Sequence, residues 1–230
     1  VKKKLGLKQW LVKIQLDIFG LFLCAGGIVL AIQSNLGPSP WDVLQVGLSI
    51  QLPISIGQAS QFVSVVMLAF TWYKGIIPGV GTVAEAFFIG FFIDLIYKYI
   101  PVHTPDGIMF RILMLVVGVV MLAFGIVTAL KAGLGVGSRD QLMEYLIGTT
   151  GKPVEKIRPV MEIIALIIGT LLKGPIGIGS IFVAMFIGYL IRFSAKILNY
   201  NFDAYSHYTL LDIWNNSNFN ENKIIANKHI

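Results

Sequence analysis

Residues 13–94 align without a gap onto residues 111–192 at a constant offset of 98, the separation of Gly37 and Gly135. Leu36, Gly37, Asp42 and Leu44 sit in SNLGPSPWDVL; Leu134, Gly135, Asp140 and Leu142 sit in AGLGVGSRDQL. Upstream, Gly20, Ala25, Gly27 and Ala31 recur as Gly118, Ala123, Gly125 and Ala129. Downstream, Gly79, Gly81, Ala86, Gly90 and Ile93 recur as Gly177, Gly179, Ala184, Gly188 and Ile191. A match this long restricts the chain to one unit made twice.

The solvent of that unit is lipid. Hydrophobic residues make up 56% of the chain and charged residues 13%, against roughly 25% charged in a soluble domain. Six stretches approach the roughly 20 residues that cross a bilayer: about 14–34, 56–73, 82–99, 108–130, 157–172 and 178–198. The net charge of +6 does not indicate nucleic acid, because the basic residues flank apolar spans. The loop at 35–55 has no Lys or Arg, whereas 131–158 carries Lys131, Arg139, Lys152, Lys156 and Arg158. The positive-inside rule then puts both ends in the cytoplasm. The division expected is a basic N-terminus (1–12), repeat one (13–99), an external linker (100–110), repeat two (111–198) and a polar, disordered tail (199–230), with LLDIW at 210–214 as a brief interfacial helix.

Three spans per repeat is an odd number, so the second copy enters the membrane from the opposite side. The expected fold is all-α: six transmembrane helices as two inverted three-span repeats, each with a short interfacial or re-entrant helix. Inverted repeats are the architecture of many secondary transporters. The other reading is that duplication only built a stable bundle.

The short helices are GPSPWDVLQVGLSI and GVGSRDQLMEYLIG. Ser39 is the expected N-cap of the first, with Pro40 at the first helical position; Gly137 or Ser138 caps the second. Helix N-termini attract anions, but Asp42 and Asp140 reverse that preference toward a cation, a proton or a hydroxyl-bearing ligand. Arg139 stands beside Asp140, and Trp41 holds the matching position. The candidate site is therefore Gly37, Ser39, Trp41 and Asp42 with Gly135, Ser138, Arg139 and Asp140. The alternative makes the aspartates caps and Trp41 a headgroup anchor. Glu85 is the strongest candidate for a buried proton or cation carboxylate, against a first-turn dipole role. Asp17 and Glu162 read as boundary ion pairs with Lys13 and Arg158. Ala86-x-x-x-Gly90 and Ala184-x-x-x-Gly188 predict packing of the third span on the sixth, with Thr82 and Ser180 as N-caps.

GTTGKP lacks the glycine spacing of a phosphate loop. No Cys/His cluster or catalytic triad is legible, and Cys24 is the lone cysteine. The expectation is no enzyme, no cofactor and no metal. The expected partners are the bilayer and an unidentified small solute, with a homo-oligomer or a membrane partner left open. A non-transporting scaffold or accessory protein is the second reading of function.

At LGPSPWDVL, GVGTVAEAFFIGFFIDL, LGVGSRDQLM and GIGSIFVAMFIGYLI the chain resembles the YczE/YyaS/YitT family of bacterial multipass membrane proteins. The resemblance spans about 13–195 and implies an integral plasma-membrane protein whose substrate is not established.

Overall fold

A computed structural model describes residues 7–201, 206–207 and 222–223. The described residues form eight helices: α1 (Leu7–Gln33), α2 (Pro40–Gln51), α3 (Ile56–Tyr73), α4 (Val80–Tyr99), α5 (Ile108–Ala132), α6 (Ser138–Thr150), α7 (Val154–Leu171) and α8 (Ile178–Ile197). Beyond them, Ser206–His207 pairs antiparallel with Asn222–Lys223. The interfacial helix expected at 210–214 and most of the disordered tail lie outside the described residues.

Helices α1, α4, α5 and α8 are each long and apolar enough to cross a membrane, and α2 with α3, bent by 116°, makes a fifth if the pair counts as one span. Helix α7 is 18 residues long but carries Glu155, Lys156, Arg158 and Glu162, with Pro159 inside it.

The centre is the crossing of α1 and α5, and glycines make it. A methyl on Gly27 would lie 2.5 Å from the Gly118 carbonyl oxygen, and one on Gly125 2.7 Å from the Gly20 carbonyl oxygen. Because Gly20 meets Gly125 while Gly27 meets Gly118, the two helices run antiparallel. Midway, the Cys24 thiol faces the Leu122 carbonyl oxygen at 3.8 Å. Without side chains between them the backbones gain dispersion contacts that lipid cannot supply. Helix α4 packs on α1 and α8 on α5, while α2 lies on α7 and α6 on α3.

The loops bind across this arrangement. The Leu134 carbonyl accepts from the Gly81 N–H and the Leu36 carbonyl from the Gly179 N–H, both at 2.8 Å. Each loop thus satisfies an orphan donor in the first turn of a distant helix. This corrects the caps expected from sequence: α4 and α8 start after Gly79 and Gly177, which leaves Thr82 and Ser180 inside the helices. The Ser180 hydroxyl still accepts from the Gly177 N–H at 3.4 Å, and the Thr82 and Ser180 hydroxyls lie 2.6 Å from where a methyl on Gly135 or Gly37 would be.

The expected packing of the third span on the sixth is not a main contact among the described residues: α4 packs chiefly on α3 and α1, and α8 on α5. Gly90 packs on the Gly57 carbonyl of α3, whereas a methyl on Gly188 would meet nothing within 4 Å. Asp94 fastens the α3–α4 pair, accepting from Ser55 Oγ at 2.5 Å and from the Gly57 N–H at 3.0 Å. Asp94→Ala therefore leaves the Ser55 hydroxyl and the Gly57 N–H without this acceptor, while the Ser55–Gln58 capping box of α3 remains, and lowers stability by about 1–2 kcal/mol, read as an earlier melting midpoint in detergent.

Candidate functional site

The start of α2 follows its sequence closely. Ser39 is the N-cap, Pro40 takes the first helical position, and the Ser39 Oγ accepts from the Asp42 N–H at 3.3 Å. The same hydroxyl donates to Asp42 Oδ2 at 2.6 Å. Asp42 is 1% exposed, yet its Oδ1 has no hydrogen-bond partner among the described residues. Gln45 lies three residues on, over the same helix face. It is 0% exposed, and neither its Nε2 nor its Oε1 is partnered. Interiors rarely leave polar atoms unpaired, because each costs on the order of 1–3 kcal/mol.

Helix α6 starts differently. Its N-cap is Gly137, which has no side chain to bond the first turn. Glu85 supplies the acceptor from α4: its Oε2 takes the Ser138 N–H at 2.7 Å. Gly137 leaves the room for this, since a methyl there would lie 3.1 Å from Glu85 Oε1 and 3.6 Å from Asp140 Oδ2. Glu85 is the sixth residue of α4 and caps a neighbour's N-terminus, which replaces the dipole role expected within its own first turn. Ser138 is 1% exposed with its Oγ unpartnered.

The two helix starts meet. The Arg139 guanidinium carbon lies 5.4 Å from the centre of the Trp41 ring, a cation–π contact between the second residues of α6 and α2. These positions are 98 apart in sequence, like Cys24 and Leu122. Trp41 is buried in a cluster with Leu44, Val63, Met67, Ile157, Met161 and Ala165, so the headgroup-anchor alternative does not hold. The other ends of the short helices point away: Gln51 Nε2 at the end of α2 donates to the Leu172 carbonyl at 3.1 Å.

Charge gathers at this meeting point. Arg139 acts electrostatically on Asp42, Glu85 and Glu162. Glu85 also feels Asp140, and Asp17 feels Glu85. The reading of Asp17 and Glu162 as boundary pairs captures only part of their setting: Arg158 does act on Glu162, but Arg139 precedes it in strength. Lys13 donates to the Ala132 carbonyl at 2.5 Å and closes the C-terminus of α5.

The structure thus brings together Ser39, Trp41, Asp42, Glu85, Ser138, Arg139 and Asp140. Gly37 and Gly135 stand apart, seating the loops. Gly37 has φ of +101°, and a methyl on it would lie 2.5 Å from the Gly177 nitrogen. Sequence reasoning missed Gln45; the available signal was an amide in the otherwise apolar stretch VLQVGL, one turn from Asp42.

Comparison with known proteins bears on the whole of this arrangement. A model for a family of unknown function, DUF6198, matches residues 11–196. The chain belongs to this family. The DUF6198 match takes in both repeats and every residue of the polar centre. The uncharacterized membrane protein YczE of Bacillus subtilis is 34% identical over 188 residues, covering 79% of this chain and 86% of the relative. An uncharacterized protein of Haemophilus influenzae is 30% identical over 186 residues, 80% and 84% of the two chains. The uncharacterized protein YyaS of Bacillus subtilis is 28% identical over 189 residues, 80% and 92%. These relatives agree with the resemblance read from the repeat motifs. No solved structure matches. With its apolar helices, this DUF6198 chain is a membrane protein that is helical across the matched region.

Proposed function

We propose that the chain is a secondary transporter or permease for a small solute, built from two inverted three-span repeats with both ends in the cytoplasm. Helices α3 and α7 complete the six spans, and α2 and α6 re-enter the membrane from opposite sides. The observation that carries this reading is the contact of Trp41 with Arg139. Two half-helices whose N-termini meet midway, with carboxylates in their first turns, resemble the discontinuous helices that line transporter sites at the bilayer midplane. Irregular backbone at that depth is tolerated where it lines a path or is covered by protein. The antiparallel Gly20–Gly125 and Gly27–Gly118 contacts support the inversion, because each exchanges matched positions of the two copies. The scaffold reading expects short helices lying flat over an apolar core, and the buried, partly unpaired Asp42 and Gln45 count against it. No catalytic set is proposed.

The test is uptake into proteoliposomes across a solute panel by wild type, Asp42→Asn and Asp140→Asn. The expected result is a solute that wild type moves and that both variants move at least about tenfold more slowly, the scale of losing one charged contact. Equal flux in all three would sink the site.

A further inference from the structure

Among the described residues, Arg139 is the cation that acts on both Asp42 and Glu85, and Arg158 joins it at Glu162. Arg139 serves Asp42, Glu85 and Glu162 at once, with Asp140 and Asp17 behind Glu85. In an apolar bundle an ionised group without a counter-ion is expensive, so something must supply the missing positive charge. A metal ion needs ligands that converge. Among the described residues no three His, Cys, Asp or Glu side chains do so. Here the carboxylates are spread over α1, α2, α4, α6 and α7.

The unpartnered atoms suit a smaller guest. Asp42 Oδ1 is buried and unpartnered, and Ser138, whose N–H holds Glu85, has a buried unpartnered Oγ. One turn from Asp42, the Gln45 amide offers both a donor and an acceptor, with neither engaged. That amide can accept from a protonated carboxyl or donate to an ionised one.

We propose that the ion handled at this centre is the proton, carried by Glu85 and Asp42, with Arg139 as the counter-ion they share. The inference rests on the transport reading and supplies its coupling ion. Uptake at Asp42 adds a proton to a carboxylate oxygen and leaves a neutral acid, which releases Arg139 toward Glu85. Uptake at Glu85 releases it toward Asp42 and Glu162. Each exchange moves the guanidinium over the Trp41 ring. The groups facing Glu85 are Asp17 and the Cys24 thiol on α1 with Arg139 and Asp140 on α6. Those facing Asp42 are Ser39 beside it and Arg139 on α6, and Asp42 in turn acts on Glu162 of α7 and Tyr97 of α4.

The experiment reads that ring directly. In full-length protein with Trp10, Trp72 and Trp214 replaced by Phe and reconstituted in liposomes, Trp41 fluorescence is followed as pH is varied. A sigmoidal step is expected. Glu85→Gln and Asp42→Asn should each weaken it, and the double variant should lose it. Glu85→Gln keeps an oxygen for the Ser138 N–H, so the α6 start stays docked. Glu85→Asp should retain a step displaced along the pH axis, and Asp106→Asn, on the exposed linker, should leave it in place. A flat wild-type titration, or a step that survives in the double variant, would overturn the proposal. Solute flux that ignores an imposed pH gradient would also overturn it while leaving transport intact. A normal step in a protein that moves no solute would instead overturn transport and keep the proton site.

Discussion

Gly27→Ala destabilises the protein by about 2 kcal/mol, whereas Gly188→Ala stabilises it by about 0.5–1 kcal/mol. Both glycines lie inside helices, so the propensity gain from alanine is the same. The surroundings decide the sign. A methyl on Gly27 would sit 2.5 Å from the Gly118 carbonyl oxygen and 2.6 Å from the Leu122 nitrogen. These are backbone atoms that cannot rotate away, so α1 and α5 must separate along a contact that other glycines also set. At Gly188 nothing lies within 4 Å. Thermal or denaturant unfolding in detergent of the two variants beside wild type checks the pair. Equal shifts would mean that the crossing is not the close contact described.

Gln45→Met raises stability by about 1–2 kcal/mol and abolishes function. Methionine has a similar length and shape and carries no group that needs a hydrogen bond. The native amide is 0% exposed with both polar atoms unpartnered, so removing it removes a desolvation cost without opening a cavity. Stabilisation together with lost activity is the mark of a residue kept for its task. The readouts are the melting midpoint in detergent and the Trp41 titration. If Gln45→Met melts earlier, the amide is a structural element and the polar centre loses its most unusual member.

How much of this could be read from sequence depends on the range of the interaction. The Ser39 cap, Pro40 and the first-turn Asp42 were legible because all lie within four residues of one another. The helices were legible from apolar length. Thr82 and Ser180 fall at the third helical position and not at the N-cap, although Ser180 still accepts the Gly177 N–H; the acceptors of the Gly81 and Gly179 N–H groups come from Leu134 and Leu36, and no local pattern encodes a partner so distant. The Ala-x-x-x-Gly pairs were assigned to the wrong partner for a related reason. Small residues announce a close approach but not which helix approaches: Gly90 meets α3 and Gly188 meets nothing. Among the candidate site residues, Glu85 was identified by its charge in an apolar stretch, while its use as the cap of α6 needed the fold. Gln45 was passed over because an uncharged amide is a weak signal until its burial is known.

The loop carbonyls that close distant helices have a consequence for how the chain is made. Synthesis delivers α4 while its Gly81 N–H still lacks an acceptor, and Leu134 follows some fifty residues later. Helix α2 likewise waits for α7, and α1 for α5. The first half is therefore made before the partners of its glycine face and of its Gly81 N–H exist. The second half closes both, so the order of emergence from the ribosome makes the last helices the ones that lock the first.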